Sequence, residues 1–183
     1  MAGRKTHYEL KLTNEEVKDM FYDMVQAWFK EPNGSYNDFV DALLQGDLDA
    51  MNEYMNRVTM LMFSSFDTGT MPSGSQPERF YHGFVLGLMV DLSDRYIVTS
   101  NQESGFGRYD VMLEPKDKDE DAMILEFKVF HPRKESSLED TVHSALAQIK
   151  EKQYETVLIA RGIPSEHIRK YGFAFEGKKV LIG

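Results

Sequence analysis

Apolar residues recur at Val17, Phe21, Met24, Val25 and Trp28, the spacing of one helix face, and Thr13-x-x-Glu16 ahead of them has the form of a capping box. That stripe ends near Pro32-Asn33-Gly34. Residues 35–44 read as a short second helix closed at Gly46. Asp47 then caps a third helix, with Leu48, Met51, Met55, Val58 and Met62 at helical spacing. Methionine is unbranched and adaptable, so these positions read as core filler. Residues 64–77, rich in Ser, Thr, Gly and Pro, form the clearest connector. A long helix follows over 78–91, with Phe80, Phe84, Val85, Leu88 and Met89 on its apolar side.

Beyond it the period changes. Residues 96–99, 109–113 and 123–130 are β-branched or apolar runs separated by turns, and residues 116–121 (Lys-Asp-Lys-Asp-Glu-Asp) make a solvated hairpin tip. Residues 138–152 read as a helix with Val142, Ala145, Leu146 and Ile149 on one side. Residues 156–160 are ambiguous, β-rich by propensity yet compatible with a helical turn. Gly172 to Phe175 and Val180 to Ile182 form a closing hairpin around Glu176-Gly177. The order helix, three strands, helix, strand predicts an α/β sheet layered with helices. The chain divides into an N-terminal helical subdomain (1–63), a connector (64–77) and a core (78–183).

The 183 residues suffice for one good core or a domain with a helical attachment. No run of eighteen apolar residues and no signal-peptide pattern occurs, so neither membrane insertion nor secretion is indicated. The lack of cysteine excludes disulfides and thiolate metal sites and suits a reducing cytoplasm, the expected location. A net charge of −9 argues against charge-driven coating of nucleic acid. Residues 1–127 carry 11 basic and 23 acidic side chains, net −12, and residues 128–183 carry 10 and 7, net +3. A mildly basic face could therefore adjoin an acidic one, although such a drift also arises by chance.

Glu-x-Lys occurs five times, and four copies lie in polar or turn context. Glu126-x-Lys128 differs: Met123, Ile124, Leu125, Phe127, Val129 and Phe130 make its strand apolar on both faces. Period two sets Glu126 and Lys128 side by side. Asp110 stands on the adjacent strand, expected on the face opposite Tyr109, Val111 and Leu113. Buried charge in a strand is costly unless paired or bound to metal. Two carboxylates on neighbouring strands can share one hard cation, with the Phe127 carbonyl as a further oxygen ligand. The competing reading is a structural Asp–Lys–Glu cluster.

Gly105-Phe-Gly-Arg108-Tyr-Asp110, fifteen residues, Glu126-Phe-Lys128 and then Gln148 resembles the PD-(D/E)xK nuclease superfamily. More narrowly, the blocks at 77–83, 104–110, 147–149 and 171–179 resemble the nuclease-like domain found behind AAA-type ATPase domains in bacterial proteins. Tyr109 stands where the superfamily name has proline. The resemblance implies a restriction-endonuclease-like core, a mixed central sheet flanked by helices. It implies Mg²⁺ or Mn²⁺ held by Asp110 and Glu126, Lys128 orienting or deprotonating the attacking water, and Gln148 helping to place the phosphate or lysine. Tyr154 only loosely matches the tyrosine that usually accompanies that glutamine. Glu78 matches a first-helix carboxylate that many members add to the catalytic and metal set. His82, one turn on, shares its helix face. Arg108 could clamp a phosphate or neutralise Asp110. Arg133, Lys134, Lys150 and Lys152 bracket the helix of Gln148 and are candidates for nucleic-acid contact, or else merely solvate it.

Gly172-x₄-Gly177-Lys178 imitates a phosphate-binding loop, but Lys179 replaces the Ser or Thr that would bind Mg²⁺, so it reads as a hairpin turn. His131, His143 and His167 lack zinc-ligand spacing and read as surface residues. Met1 to Lys5 looks like a new start placed before an interdomain junction at Tyr8, which leaves an isolated domain or a short paralogue as alternatives. The resemblance thus implies metal-dependent phosphodiester hydrolysis of nucleic acid, DNA before RNA, leaving 5′-phosphate and 3′-hydroxyl ends. The rival is a non-catalytic nuclease fold that binds nucleic acid or protein under a partner ATPase, in trans or in a longer parent chain. The three charged residues favour the enzyme, and the acidic surface favours the rival. Oligomerisation is left open.

Overall fold

A computed structural model describes residues 38–65 and 76–183, without the side chains of 61–65, 76–80, 90 and 91. The helix expected before Pro32 and most of the connector lie outside the described residues. The elements are α1 (Asp38–Gln45), α2 (Leu48–Ser65), α3 (Gln76–Leu88) with a 3₁₀ turn (Met89–Leu92), β1 (Tyr96–Ser100), β2 (Glu103–Ser104), β3 (Gly107–Arg108) and β4 (Val111–Pro115). They continue as β5 (Ala122–Val129), α4 (Leu138–Glu151), α5 (Thr156–Ala160), a 3₁₀ turn (Ser165–His167), β6 (Ile168–Glu176) and β7 (Lys179–Ile182).

Five strands form a mixed sheet in the order β1-β4-β5-β6-β7. β5 and β6 are parallel, joined by the α4–α5 crossover, and every other pairing in that sheet is antiparallel. This is the α/β sheet layered with helices that the hydrophobic pattern predicts. Residues 156–160 form a helix despite their β propensity, because a helical turn drops Leu158 into the core with Ile149, Tyr154 and Ile163. Among the described residues no helix is long and apolar enough to cross a membrane.

Period two divides β5 between two cores. Ala122 and Ile124 join Met112, Ile149, Tyr154, Leu158 and Ile168 under α4 and α5. Phe127 faces the other way, tilted against Phe173 at 4.9 Å between centroids, and Tyr81 of α3 stacks on Phe175 at 3.9 Å. Phe39 of α1 reaches this same aromatic layer through Phe173. A side chain at Gly172 would meet the Val142 carbonyl at 2.8 Å and Ala145 Cβ at 3.1 Å. Glycine there lets α4 lie close on the sheet, which brings the inner face of that helix within reach of β5.

The two N-terminal helices are joined by a tight corner. The Gly46 and Asp47 N–H groups bond back to Leu43 and Ala42, with Gly46 at φ +73°. Asp47 then accepts from the Ala50 N–H at 3.0 Å, the expected cap of α2. Met51, Met55 and Val58 are buried as their spacing predicts, but Leu48 is exposed, being in the first turn beyond the covered face. Along α2, Asn52 bonds both the N–H and the carbonyl of Ile182, and Asn56 does the same for Val180. The Thr59 hydroxyl adds a bond to the Lys178 carbonyl.

Candidate active site

The site is built where β4 and β5 part. Their pairing runs from Leu113–Met123 to Val111–Leu125 and stops there. β5 continues alone on that side, while β6 accompanies it as far as Val129. Asp110 fills the opening: its Oδ2 accepts the Phe127 N–H at 2.8 Å. The N–H and C=O of a strand residue point the same way, so the Phe127 carbonyl faces this opening too.

The strand alternation expected across Asp110 does not hold. Tyr109 packs in the same cluster as Met112, three residues on, which a regular strand would set on the other face. The strand is interrupted, with β3 ending at Arg108 and β4 starting at Val111. Across from the break, Asn101 adopts a left-handed φ of 53° and donates its N–H to the Asp110 carbonyl at 3.1 Å. This irregularity turns the Asp110 side chain toward the β5 backbone.

On the α4 side of β5 lie Glu126 and Lys128. Glu126 is buried, 3% exposed. Gln148 stands over both: its Nε2 donates to the Glu126 carboxylate, and its Oε1 accepts from the Lys128 ammonium at 2.7 Å. The same nitrogen lies 3.1 Å from the hydroxyl of Tyr154, which donates to the Arg108 carbonyl at 2.7 Å. The amide can point only one way, since the flipped form would set its NH₂ against an ammonium. Tyr154 is therefore the tyrosine partner of Gln148, and the sequence only loosely matched it. It lies past the end of α4, where Gln153 at φ 52° turns the chain back.

Burial pushes the Asp110 carboxyl up, against the Phe127 N–H bond and the nearby charges of His82 and Lys128, which lower it. Burial likewise raises the Tyr154 hydroxyl, with Glu126 and Asp110 adding to the rise and the Gln148 bond opposing it.

On the opposite face His82 stacks on the Phe127 ring, 5.4 Å between centroids, and its Nε2 lies 2.8 Å from Ser100 Oγ. His82 thus borders the opening, and Ser100, which carries no sequence signal, fixes its ring. Glu78 stands one turn earlier on α3, with its side chain outside the described residues. Arg108 is exposed, and among the described residues no ion pair joins it to Asp110. Arg133 and Lys134 are exposed on a turn before α4, and Lys150 and Lys152 are exposed at its far end. The fourteen residues of α4 span about 21 Å, so these four cations form two separate groups. Of the three histidines read as surface residues, His131 and His143 are exposed, whereas His167 is half-buried and bonds Asp121 at 2.9 Å.

A family model of the PD-(D/E)XK nuclease superfamily matches residues 76–183. The chain belongs to that superfamily. The match spans α3 to β7 and so includes the whole of the opening between β4 and β5. Neither the curated proteins nor the solved structures hold a match to the chain. The five-stranded mixed sheet flanked by helices is consistent with a PD-(D/E)XK nuclease core.

Among the described residues no three His, Cys, Asp or Glu side chains gather into a metal-sized group. Asp110 stands in the opening, the Phe127 carbonyl faces it, and Glu126 lies on the α4 side of the same strand, so the donors near the break are oxygens. A donor set of that kind fits a hard divalent cation that keeps several of its waters, as Mg²⁺ does.

Proposed function

We propose that this chain hydrolyses phosphodiester bonds of nucleic acid, with DNA as the expected substrate and Mg²⁺ or Mn²⁺ as cofactor. The observation that carries the reading is the bridge of Gln148 between Glu126 and Lys128, beside an Asp110 held on the Phe127 N–H. A simple structural ion pair would need no such intermediary. Here a neutral amide holds the cation at a set position next to the carboxylate.

Asp110, Glu126 and the Phe127 carbonyl would hold the metal, with Glu78 as a further candidate ligand. When bound, the cation would polarise the phosphate and lower the pKa of a bound water. Lys128 would orient that water or stabilise charge developing on the phosphoryl oxygens. Gln148 would keep the ammonium in register, and Tyr154 would keep Gln148 in register. His82, Arg108 and the two groups of exposed cations are proposed as substrate contacts. A partner ATPase, in trans or in a longer parent chain, and a cytoplasmic location belong to the same reading.

Digestion of single- and double-stranded DNA and RNA under a Mg²⁺ and Mn²⁺ titration tests it. Cleavage that needs metal and is lost in Lys128→Met supports the reading. No cleavage of any substrate at any metal concentration would return the fold to the non-catalytic binding module favoured by the −9 net charge.

A further inference from the structure

β2 and β3 extend the β1–β4 pair past its break into a small hairpin, with Glu103 opposite Arg108 and Ser104 opposite Gly107. Its tip is fastened to the end of α4 at three points. The Phe106 N–H donates to the Lys152 carbonyl at 2.7 Å, the buried Ser104 hydroxyl donates to the Tyr154 carbonyl at 2.7 Å, and the Tyr154 hydroxyl donates to the Arg108 carbonyl. Gly105, at φ +60°, allows the approach, since a Cβ there would lie 2.1 Å from the Lys152 carbonyl oxygen. A Cβ on Gly107 would meet Lys152 and Tyr154 at 3.2 Å. The tip is thus a rigid element.

On this rigid tip Phe106 is 74% exposed. A large apolar ring held out of the core by a clamped backbone contributes nothing to packing. Arg108, two residues on, and Lys152, whose carbonyl accepts the Phe106 N–H, are exposed as well. Arg108 is also linked to the site by the chain Arg108 carbonyl, Tyr154 hydroxyl, Gln148 amide. From Phe106 to Asp110 is four residues, no more than roughly 14 Å. That is at most about four stacked nucleotides at roughly 3.4 Å each. On a chain of net charge −9, phosphate attraction alone gives little hold, whereas every base offers a π-face to a fixed ring.

We propose that Phe106 is a stacking platform for an unpaired base within about four nucleotides of the scissile phosphate, so that the substrate presents a single-stranded segment at the site. This rests on the nuclease reading for what the base is delivered to, but the contact itself can be measured without metal. Arg108, two residues on in the hairpin, and Lys152, whose carbonyl accepts the Phe106 N–H, would meet phosphates of the strand whose base is stacked.

The test uses the full chain in EDTA and labelled oligothymidylate, single-stranded or annealed into a duplex, followed by fluorescence anisotropy. Phe106→Ala should weaken single-strand binding about tenfold and leave duplex binding within about twofold. Phe106→Trp should retain the affinity, and Phe106→Leu, apolar but without a ring, should behave as alanine does. Melting temperatures should be unchanged, because the side chain is outside the core. The wild-type-to-alanine ratio should stay constant as salt rises, since stacking releases no counterions.

An unchanged single-strand affinity in Phe106→Ala, an equal loss on duplex, or no oligonucleotide binding by the wild type would each overturn the proposal. Wild-type cleavage together with an unaffected Phe106→Ala would sink this inference alone. Phe106-dependent single-strand binding by a protein that never cleaves would uphold it and sink the nuclease reading.

Discussion

The ammonium of Lys128 is held 2.7 Å from Oε1 of Gln148, on a helix that follows it in the chain. A cation beside a carboxylate ordinarily closes on it. Here the amide stands between Lys128 and Glu126 and bonds to each.

Gln148→Ala should therefore let Lys128 and Glu126 collapse into a direct pair. The expected loss in cleavage rate is about 10- to 100-fold, the usual effect of removing a group that orients a metal-site residue. Metal affinity, measured by calorimetry, should change less than the rate.

Lys128→Met keeps the aliphatic stem and removes the charge. Folding and Mn²⁺ binding should survive, and the cleavage rate should fall by roughly 10²-fold or more. A rate within a few-fold of wild type would make Lys128 a structural counter-ion.

Asp110 has its folded-state carboxyl raised by burial. Between its ordinary and raised values the folded protein holds more of that proton than the unfolded chain does. Stability without metal should then fall as pH rises through that window. Asp110→Asn should flatten this dependence, raise the melting temperature at neutral pH and abolish Mn²⁺ binding. A variant that melts like wild type across the window would remove Asp110 from the buried site.

Lys150→Glu combined with Lys152→Glu should weaken oligonucleotide binding and reduce its salt dependence, with metal affinity nearly unchanged. Because about 21 Å of helix separates them, Arg133 and Lys134 should respond independently, with additive effects on binding free energy.

Glu126 and Lys128 were legible in the sequence because an apolar strand cannot hide two charges and strand period sets them on one face. Gln148 as the residue that places Lys128 comes from the resemblance, whereas its bond to Glu126 has no sequence signal. Asp110 could be placed on the neighbouring strand, but its orientation depends on the left-handed Asn101, which no periodicity announces. Tyr154 reaches Gln148 only because the chain reverses at Gln153. Thr156–Ala160 was undecided on propensity, and tertiary burial of Leu158 decided it. Asn52 and Asn56 carry no sequence signal, yet their amides pair with a strand backbone.

Those two asparagines stand four apart on α2 and meet Ile182 and Val180, two apart on β7. Four helical residues rise about 6 Å and two strand residues about 6.6 Å, so the helix face and the strand edge run in step. The amides act as a substitute sixth strand that has no outer edge of its own, and they close β7 to further pairing. All of them lie before residue 76, outside the segment that carries the superfamily match. A fragment trimmed to 76–183 would keep the catalytic candidates and bare that edge. Its expected fate is self-association, visible as a concentration-dependent rise in mass by light scattering.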